Sequence, residues 1–247
     1  MPSLPSEIRA CLFDLDGVLT PTAAVHAAAW TKMFDAFLRD YAESTGTPFV
    51  AFDPTDDYER YVDGRARADG TRSFLQSRGI SLPEGDPDDP PDRDTVEGLS
   101  ARKDVLFRQQ VREHGVTPYP GSVRYLRAVR DAGLRRAVVS ASRHCAEILH
   151  AAGIEDLLEE RVDGLVAERE KLAGKPAPDT FLAAARRLGV EPANAAVFED
   201  ALAGVAAGRA GRFGYVVGVD RVRQADELRA HGADIVVADL ADLLPAS

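Results

Sequence analysis

Apolar and polar positions change their period twice along the chain. A mainly apolar run over residues 8–13, interrupted by Arg9, leads into Asp14-Leu15-Asp16-Gly17, the pattern of a buried strand of a parallel sheet that closes on a glycine-marked turn. From residue 22 to about 44, Val25, Ala29, Met33, Phe34, Phe37 and Leu38 recur at helical spacing, and Gly46-Thr47-Pro48 ends the run. Residues 58–78 carry a second helical pattern, broken over 62–70, and residues 95–114 carry a third. Between them, residues 82–92 hold too much Asp and Pro for helix or strand and predict a solvated loop. With no strong strand pattern between residues 22 and 116, that span reads as a helical domain inserted into an α/β domain.

Alternation of strand and helix returns after residue 118. Helical runs over 125–132, 145–152 and 179–188 are closed by Gly133, Gly153 and Gly189. Strand-like runs occur at 136–140, 195–198, 215–219 and 234–237, with helices between the later ones. This rhythm predicts a doubly wound, Rossmann-like parallel sheet. The expected division is a catalytic core of residues 1–21 and 117–247, with a helical cap domain of residues 22–116.

Composition narrows the partners. Forty acidic residues against thirty basic give a formal charge of -10, which argues against nucleic acid or an anionic membrane as the main partner. The two cysteines, Cys11 and Cys145, offer neither a disulfide framework nor a metal-ligand cluster. The opening residues lack the charged and apolar regions of a secretory signal, and no later run is long enough to span a bilayer. A soluble, cytoplasmic, monomeric protein is the expectation.

Chemistry gathers at the ends of predicted strands, where open α/β sheets bind ligands. Asp14 and Asp16 leave the first strand with side chains on one side, suited to one carboxylate attacking or holding a metal and the other moving protons. Ser140-Ala141-Ser142 supplies hydroxyls and amides for an anion. Lys175 precedes a helix marked by Pro178, and Glu199-Asp200 adds two carboxylates which, with Asp14, make the oxygen-rich set that Mg²⁺ selects. Each feature also has a plain reading: a turn-favouring Asp, a helix cap at Ser140, a surface Lys175, an acidic first helical turn at Glu199-Asp200. Their joint occurrence favours a site.

These residues, in this order and with a helical insertion after the first motif, resemble the four signatures of the haloacid dehalogenase superfamily with a C1-type cap. Within it the chain is most similar to the beta-phosphoglucomutase-like family, through residues 20–30, Gly64 to Gly70, Ala101-Arg102-Lys103-Asp104, Ser140-Ala141-Ser142 and Gly174-Lys175-Pro176-Ala177-Pro178-Asp179. The resemblance implies that Asp14 is a nucleophile forming an aspartyl phosphate and that Asp16 is the general acid/base. It implies Mg²⁺ held by Asp14, the carbonyl of Asp16, Glu199 and Asp200, and a phosphoryl group held by Ser140, Lys175 and the amides of Leu15, Asp16 and Ala141. From the cap, Arg67 would grip the distal phosphate of a small phosphorylated sugar and Lys103 would contact the sugar. Thr22 and His26 would set the position of the acid/base. Without the family pattern, Arg67 reads as a surface charge and His26 as a polar position on a helix face.

The implied reaction interconverts beta-glucose 1-phosphate and glucose 6-phosphate, with beta-glucose 1,6-bisphosphate as intermediate and activator. The alternative is a Mg²⁺-dependent sugar-phosphate phosphatase, in which water takes the phosphoryl group. A dehalogenase would give Asp16 no leaving-group oxygen to protonate, and a non-catalytic binding module would be expected to lack one of Asp14, Asp16, Lys175 or Asp200. The chain departs from the family at Pro21, where an acidic residue is common, at His144, where an asparagine helps bind phosphate, and in the acidic stretch 82–94.

Overall fold

The computed structural model describes residues 3–245, so the outermost bounds of the expected core, residues 1 and 247, and the first two residues of the opening segment lie outside the described residues. By contacts the chain divides into one unit of residues 1–22, 64–66 and 116–247 and a second of residues 23–63 and 67–115.

The first unit is built on a six-stranded, wholly parallel sheet. Its strands are β1 (Ala10–Phe13), β2 (Arg135–Val139), β3 (Glu160–Val162), β4 (Ala195–Glu199), β5 (Tyr215–Val219) and β6 (Ile235–Val237), in the order β3-β2-β1-β4-β5-β6. Strand order reverses between β1 and β4, and crevices at such a switch point are where doubly wound sheets bind ligands. The register pairs Phe13 with Phe198 across β1 and β4, and their rings stack at 4.6 Å. One residue further, Asp14 directly follows β1 and Glu199 is the last residue of β4, and the Asp14 amide donates to the Phe198 carbonyl at 2.9 Å. β1 is buried at every position, as a central parallel strand must be.

The helices of this unit are α4 (Pro120–Asp131), α5 (Cys145–Ala151), α6 (Gly164–Glu170), α7 (Asp179–Leu188), α8 (Leu202–Ala210) and α9 (Ala225–His231). α4 begins five residues before the apolar pattern at residue 125, because Pro120 occupies its first turn, where the missing N–H costs nothing. β3 and α6 were not among the expected elements. β3 is a three-residue, half-buried edge strand of sequence Glu-Arg-Val, too short and polar to show a period.

The second unit is helical: α1 (Thr22–Thr45), whose first residue belongs to the sheet unit, α2 (Arg67–Ser77) and α3 (Val96–His114), with a short π-helical turn at Tyr58–Val62. Residues 82–92 contain no helix or strand, as expected of the acidic stretch. Thr95 caps α3 by accepting from the Gly98 amide. The core of this unit is aromatic: Phe34 lies 5.2 Å from Trp30, 5.2 Å from Phe52 and 4.1 Å from Phe74. Truncating a buried aromatic such as Phe34 costs about 3–5 kcal/mol.

Candidate active site

The site of the sheet unit begins with the turn after β1. Gly17 adopts φ 84°, a conformation that favours glycine, and its amide donates to the Thr20 carbonyl at 2.7 Å. The Leu15 carbonyl accepts from the Leu19 and Thr20 amides, both at 2.9 Å, so the chain folds back on itself immediately after the buried strand. The glycine has a second reason: a Cβ there would overlap the Asp200 carboxylate. The first and fourth motifs therefore touch through a missing side chain.

Asp14 is buried, and its Oδ1 accepts from the Lys175 ammonium. The same ammonium donates to Glu199 Oε1 at 2.5 Å and to the Val139 carbonyl at 3.4 Å. Glu199 is fully buried, and its Oε2 accepts from the Ala201 amide at 2.8 Å. Asp14, Glu199 and Asp200 offer oxygens that all lie within 4.8 Å of one another. Burial pushes the Asp14 carboxyl well above the usual carboxylate range; the Lys175 charge opposes this, while those of Glu199 and Asp16 add to it. Burial acts to lower the Lys175 pKa, but the Asp14 and Glu199 carboxylates outweigh it and hold the ammonium above its ordinary range. Two buried carboxylates thus share one ammonium, with the buried Asp200 carboxylate beside them. Three clustered hard oxygen donors are the set that a divalent cation such as Mg²⁺ takes, so the residues fit that ion.

Asp16 is half-buried, and its Oδ1 accepts from the Thr22 hydroxyl at the start of α1. Thr22 in turn shares a 2.7 Å hydrogen bond with Thr20 Oγ1, and Thr20 reaches the Leu15 carbonyl at 3.2 Å. Both threonines are buried. Ser140 follows β2, buried, with its amide donating to the Val162 carbonyl at 3.0 Å and its hydroxyl accepting from the Ser142 amide at 3.1 Å. Gly164 lies against this turn, where a Cβ would come within 2.7 Å of the Ala141 carbonyl oxygen. His144 adds its amide to the Ser142 hydroxyl at 3.1 Å, and its ring faces Glu147 at 3.4 Å.

Lys175 requires a correction. It does not follow a strand: β3 ends at Val162, α6 intervenes, and the lysine projects from the loop that precedes α7. Three strand ends and one loop make the site, because a long aliphatic stem lets the ammonium reach the sheet edge from outside it.

The helical unit holds its own polar groups. Arg67, at the start of α2, pairs with Asp104 of α3, and Asp104 also meets Arg108 at 3.1 Å. Lys103 is buried and contacts His26 Nδ1, with its ammonium 5.1 Å from the Trp30 ring and 4.9 Å from the Phe107 ring. An ammonium has no lone pair, so Nδ1 accepts in this contact. The His26 ring stacks on Phe107 at 3.9 Å. The residues that sequence reasoning missed are those that shape the site without carrying its charge: Thr20, Gly164 and Gly204. Only Thr20, in the motif turn, carried any local signal.

The family profile of the haloacid dehalogenase-like hydrolases matches residues 8–212. The chain belongs to that family. Within it, it falls in the beta-phosphoglucomutase-like group, being 56% identical over 244 residues to a beta-phosphoglucomutase of Mycobacterium bovis, with 98% of this chain and 93% of that one covered. A beta-phosphoglucomutase of Bacillus subtilis is 31% identical over 245 residues, covering 96% of this chain and 92% of its own. Among solved structures, a beta-phosphoglucomutase of Clostridium difficile superposes with a TM-score of 0.74 at 26% identity, covering 96% of this chain and 93% of that one. Among the described residues no helix is long and apolar enough to cross a membrane.

Proposed function

We propose that this enzyme is a phosphotransferase that interconverts beta-glucose 1-phosphate and glucose 6-phosphate. The observation that carries the chemistry is the Lys175 ammonium bridging Asp14 and Glu199 beside a third carboxylate, Asp200. The near full-length identity to a beta-phosphoglucomutase selects the sugar. Beta-glucose 1,6-bisphosphate serves as intermediate and activator.

In this reading an Asp14 oxygen attacks the phosphorus of the bisphosphate, the bond from phosphorus to the sugar oxygen breaks, and that oxygen takes a proton from Asp16. The resulting aspartyl phosphate is then attacked by a hydroxyl of the next sugar phosphate, which gives its proton to Asp16. Lys175 and the Ser140-Ala141 turn, with the Leu15 and Asp16 amides, hold the phosphoryl group in line. Asp14, Asp200, Glu199 and the Asp16 carbonyl would hold Mg²⁺, which would supply the positive charge that two approaching anions require. Thr22 orients Asp16 through the hydrogen bond to its Oδ1. In the helical unit Arg67 binds the distal phosphate, a task suited to a planar guanidinium, Lys103 binds the sugar, and His26 supports Lys103.

Trapping tests the covalent step. The enzyme is mixed with the bisphosphate, quenched with borohydride, which reduces an acyl phosphate to an alcohol, and mapped by peptide mass. Conversion of Asp14 to homoserine is expected; modification at any other carboxylate would overturn the assignment.

A further inference from the structure

The connection between β5 and α9, residues 220–224, contributes no group to the proposed chemistry, yet it grips both turns that do. Arg221 Nε donates to the Gly17 carbonyl at 2.6 Å and Nη1 donates to the Ala238 carbonyl at 2.9 Å. The guanidinium lies 3.8 Å from the centre of the Tyr119 ring. Gln224 is 7% exposed, and its Nε2 donates to the carbonyl of Asp200 at 3.0 Å. The loop is closed by its own contacts: the Gln224 amide donates to Asp220 Oδ1 at 2.9 Å, and the Asp220 amide donates to the Val237 carbonyl at 2.8 Å. Arg223 adopts φ 66° within it, a cost that a non-glycine residue bears only when its surroundings fix it.

Gly17 and Asp200 are the two residues whose close approach forbids a Cβ at position 17. One five-residue loop therefore holds a peptide on each side of that contact. Both acceptors are backbone carbonyls, so the loop sets the direction in which the neighbouring side chains leave the chain rather than touching their carboxylates. Fixing the Asp200 peptide fixes where its carboxylate points, and fixing the Gly17 peptide fixes the turn that carries Asp16.

We propose that Arg221 and Gln224 are positioning residues that lock the Asp16-Gly17 turn and Asp200 into one divalent-cation site. The proposal rests on the reading of Asp14 and Asp200 as metal ligands. It assigns to the β5–α9 loop the role that outer-shell partners play around metals, whose removal typically weakens metal binding by about 10- to 100-fold.

Calorimetric titration of Mg²⁺ into the full chain, without substrate, tests it on wild type, Gln224→Met and Arg221→Lys, each checked by thermal unfolding. Methionine keeps the length and removes the donor; lysine keeps the charge but cannot span two carbonyls in a fixed fork. The expected result is a rise in the Mg²⁺ dissociation constant of about tenfold or more in Gln224→Met and a smaller rise in Arg221→Lys. Turnover of an aryl phosphate should approach the wild-type rate at saturating Mg²⁺, a recovery that general destabilisation would not give. Wild-type affinity in both folded variants overturns the proposal while leaving the metal site standing. A wild-type chain that binds no Mg²⁺ overturns both.

Discussion

Gly204 lies against Glu199 so closely that a Cβ at position 204 would overlap the Glu199 carboxylate. That carboxylate is held from both sides, by Lys175 and by the Ala201 amide, and has no room to yield. Alanine ordinarily stabilises a helix relative to glycine, by about 1 kcal/mol in its interior and by less in a first turn, where Gly204 lies as the third residue of α8. Here Gly204→Ala is expected to destabilise by about 1–3 kcal/mol, the usual cost of overpacking, and to lower turnover by separating Glu199 from Lys175. Denaturant unfolding and an aryl phosphate assay check both. A stabilised and fully active variant would show that the lysine does not depend on Glu199.

Asp14 and Asp16 separate by the leaving group they are asked to serve. Asp14→Asn removes the nucleophile and is expected to cost roughly four or more orders of magnitude in turnover of every substrate. Asp16→Ala removes the proton carrier, worth about 10²–10⁴-fold, but only where the departing oxygen needs a proton. Residual hydrolysis of an aryl phosphate with loss of transfer to sugar is the expected pattern. Equal losses for both substrate types would remove the acid/base role from Asp16.

Arg67 offers a second split. Its guanidinium is paired with Asp104, and the proposed task requires that pairing to give way to a phosphate. A charge-assisted hydrogen bond contributes about 1.5–3 kcal/mol, so Arg67→Ala is expected to raise KM for the bisphosphate by about tenfold or more. An aryl phosphate has no second phosphate, and its KM should not move. Steady-state kinetics with the two substrates decides; an equal change in both would point to a packing effect.

The cysteines should be silent. Cys11 in β1 and Cys145 at the start of α5 are both buried, and burial pushes both thiols well above their ordinary range. Alkylating agents act on the thiolate. Labelling at neutral pH is therefore expected only after unfolding, and rapid modification of the folded enzyme would contradict the closed packing around β1.

Legibility in the sequence followed the periodicity of each element. β1 and the helices of the second unit were readable because runs such as Val25 to Leu38 or residues 8–13 bury a face long enough to repeat. β3 was not, because Glu160-Arg161-Val162 is an edge strand with one buried residue. Asp14, Asp16, Ser140, Lys175, Glu199 and Asp200 stood out because charge next to an apolar strand or a turn is conspicuous. That Lys175 comes from a loop and bridges Asp14 to Glu199 depends on where the chain passes after α6, which no local pattern carries. The grips of Arg221 and Gln224 were invisible for a simpler reason: their acceptors are the carbonyls of Gly17 and Asp200, and every residue has a carbonyl.

The fate of the phosphoryl group tests the central claim most directly. The enzyme is supplied with beta-glucose 1-phosphate, Mg²⁺ and a trace of the bisphosphate, while glucose 6-phosphate and inorganic phosphate are followed together. Glucose 6-phosphate formed without matching release of phosphate is the predicted result. Phosphate released without glucose 6-phosphate would contradict it and make water, not a sugar, the acceptor at Asp14.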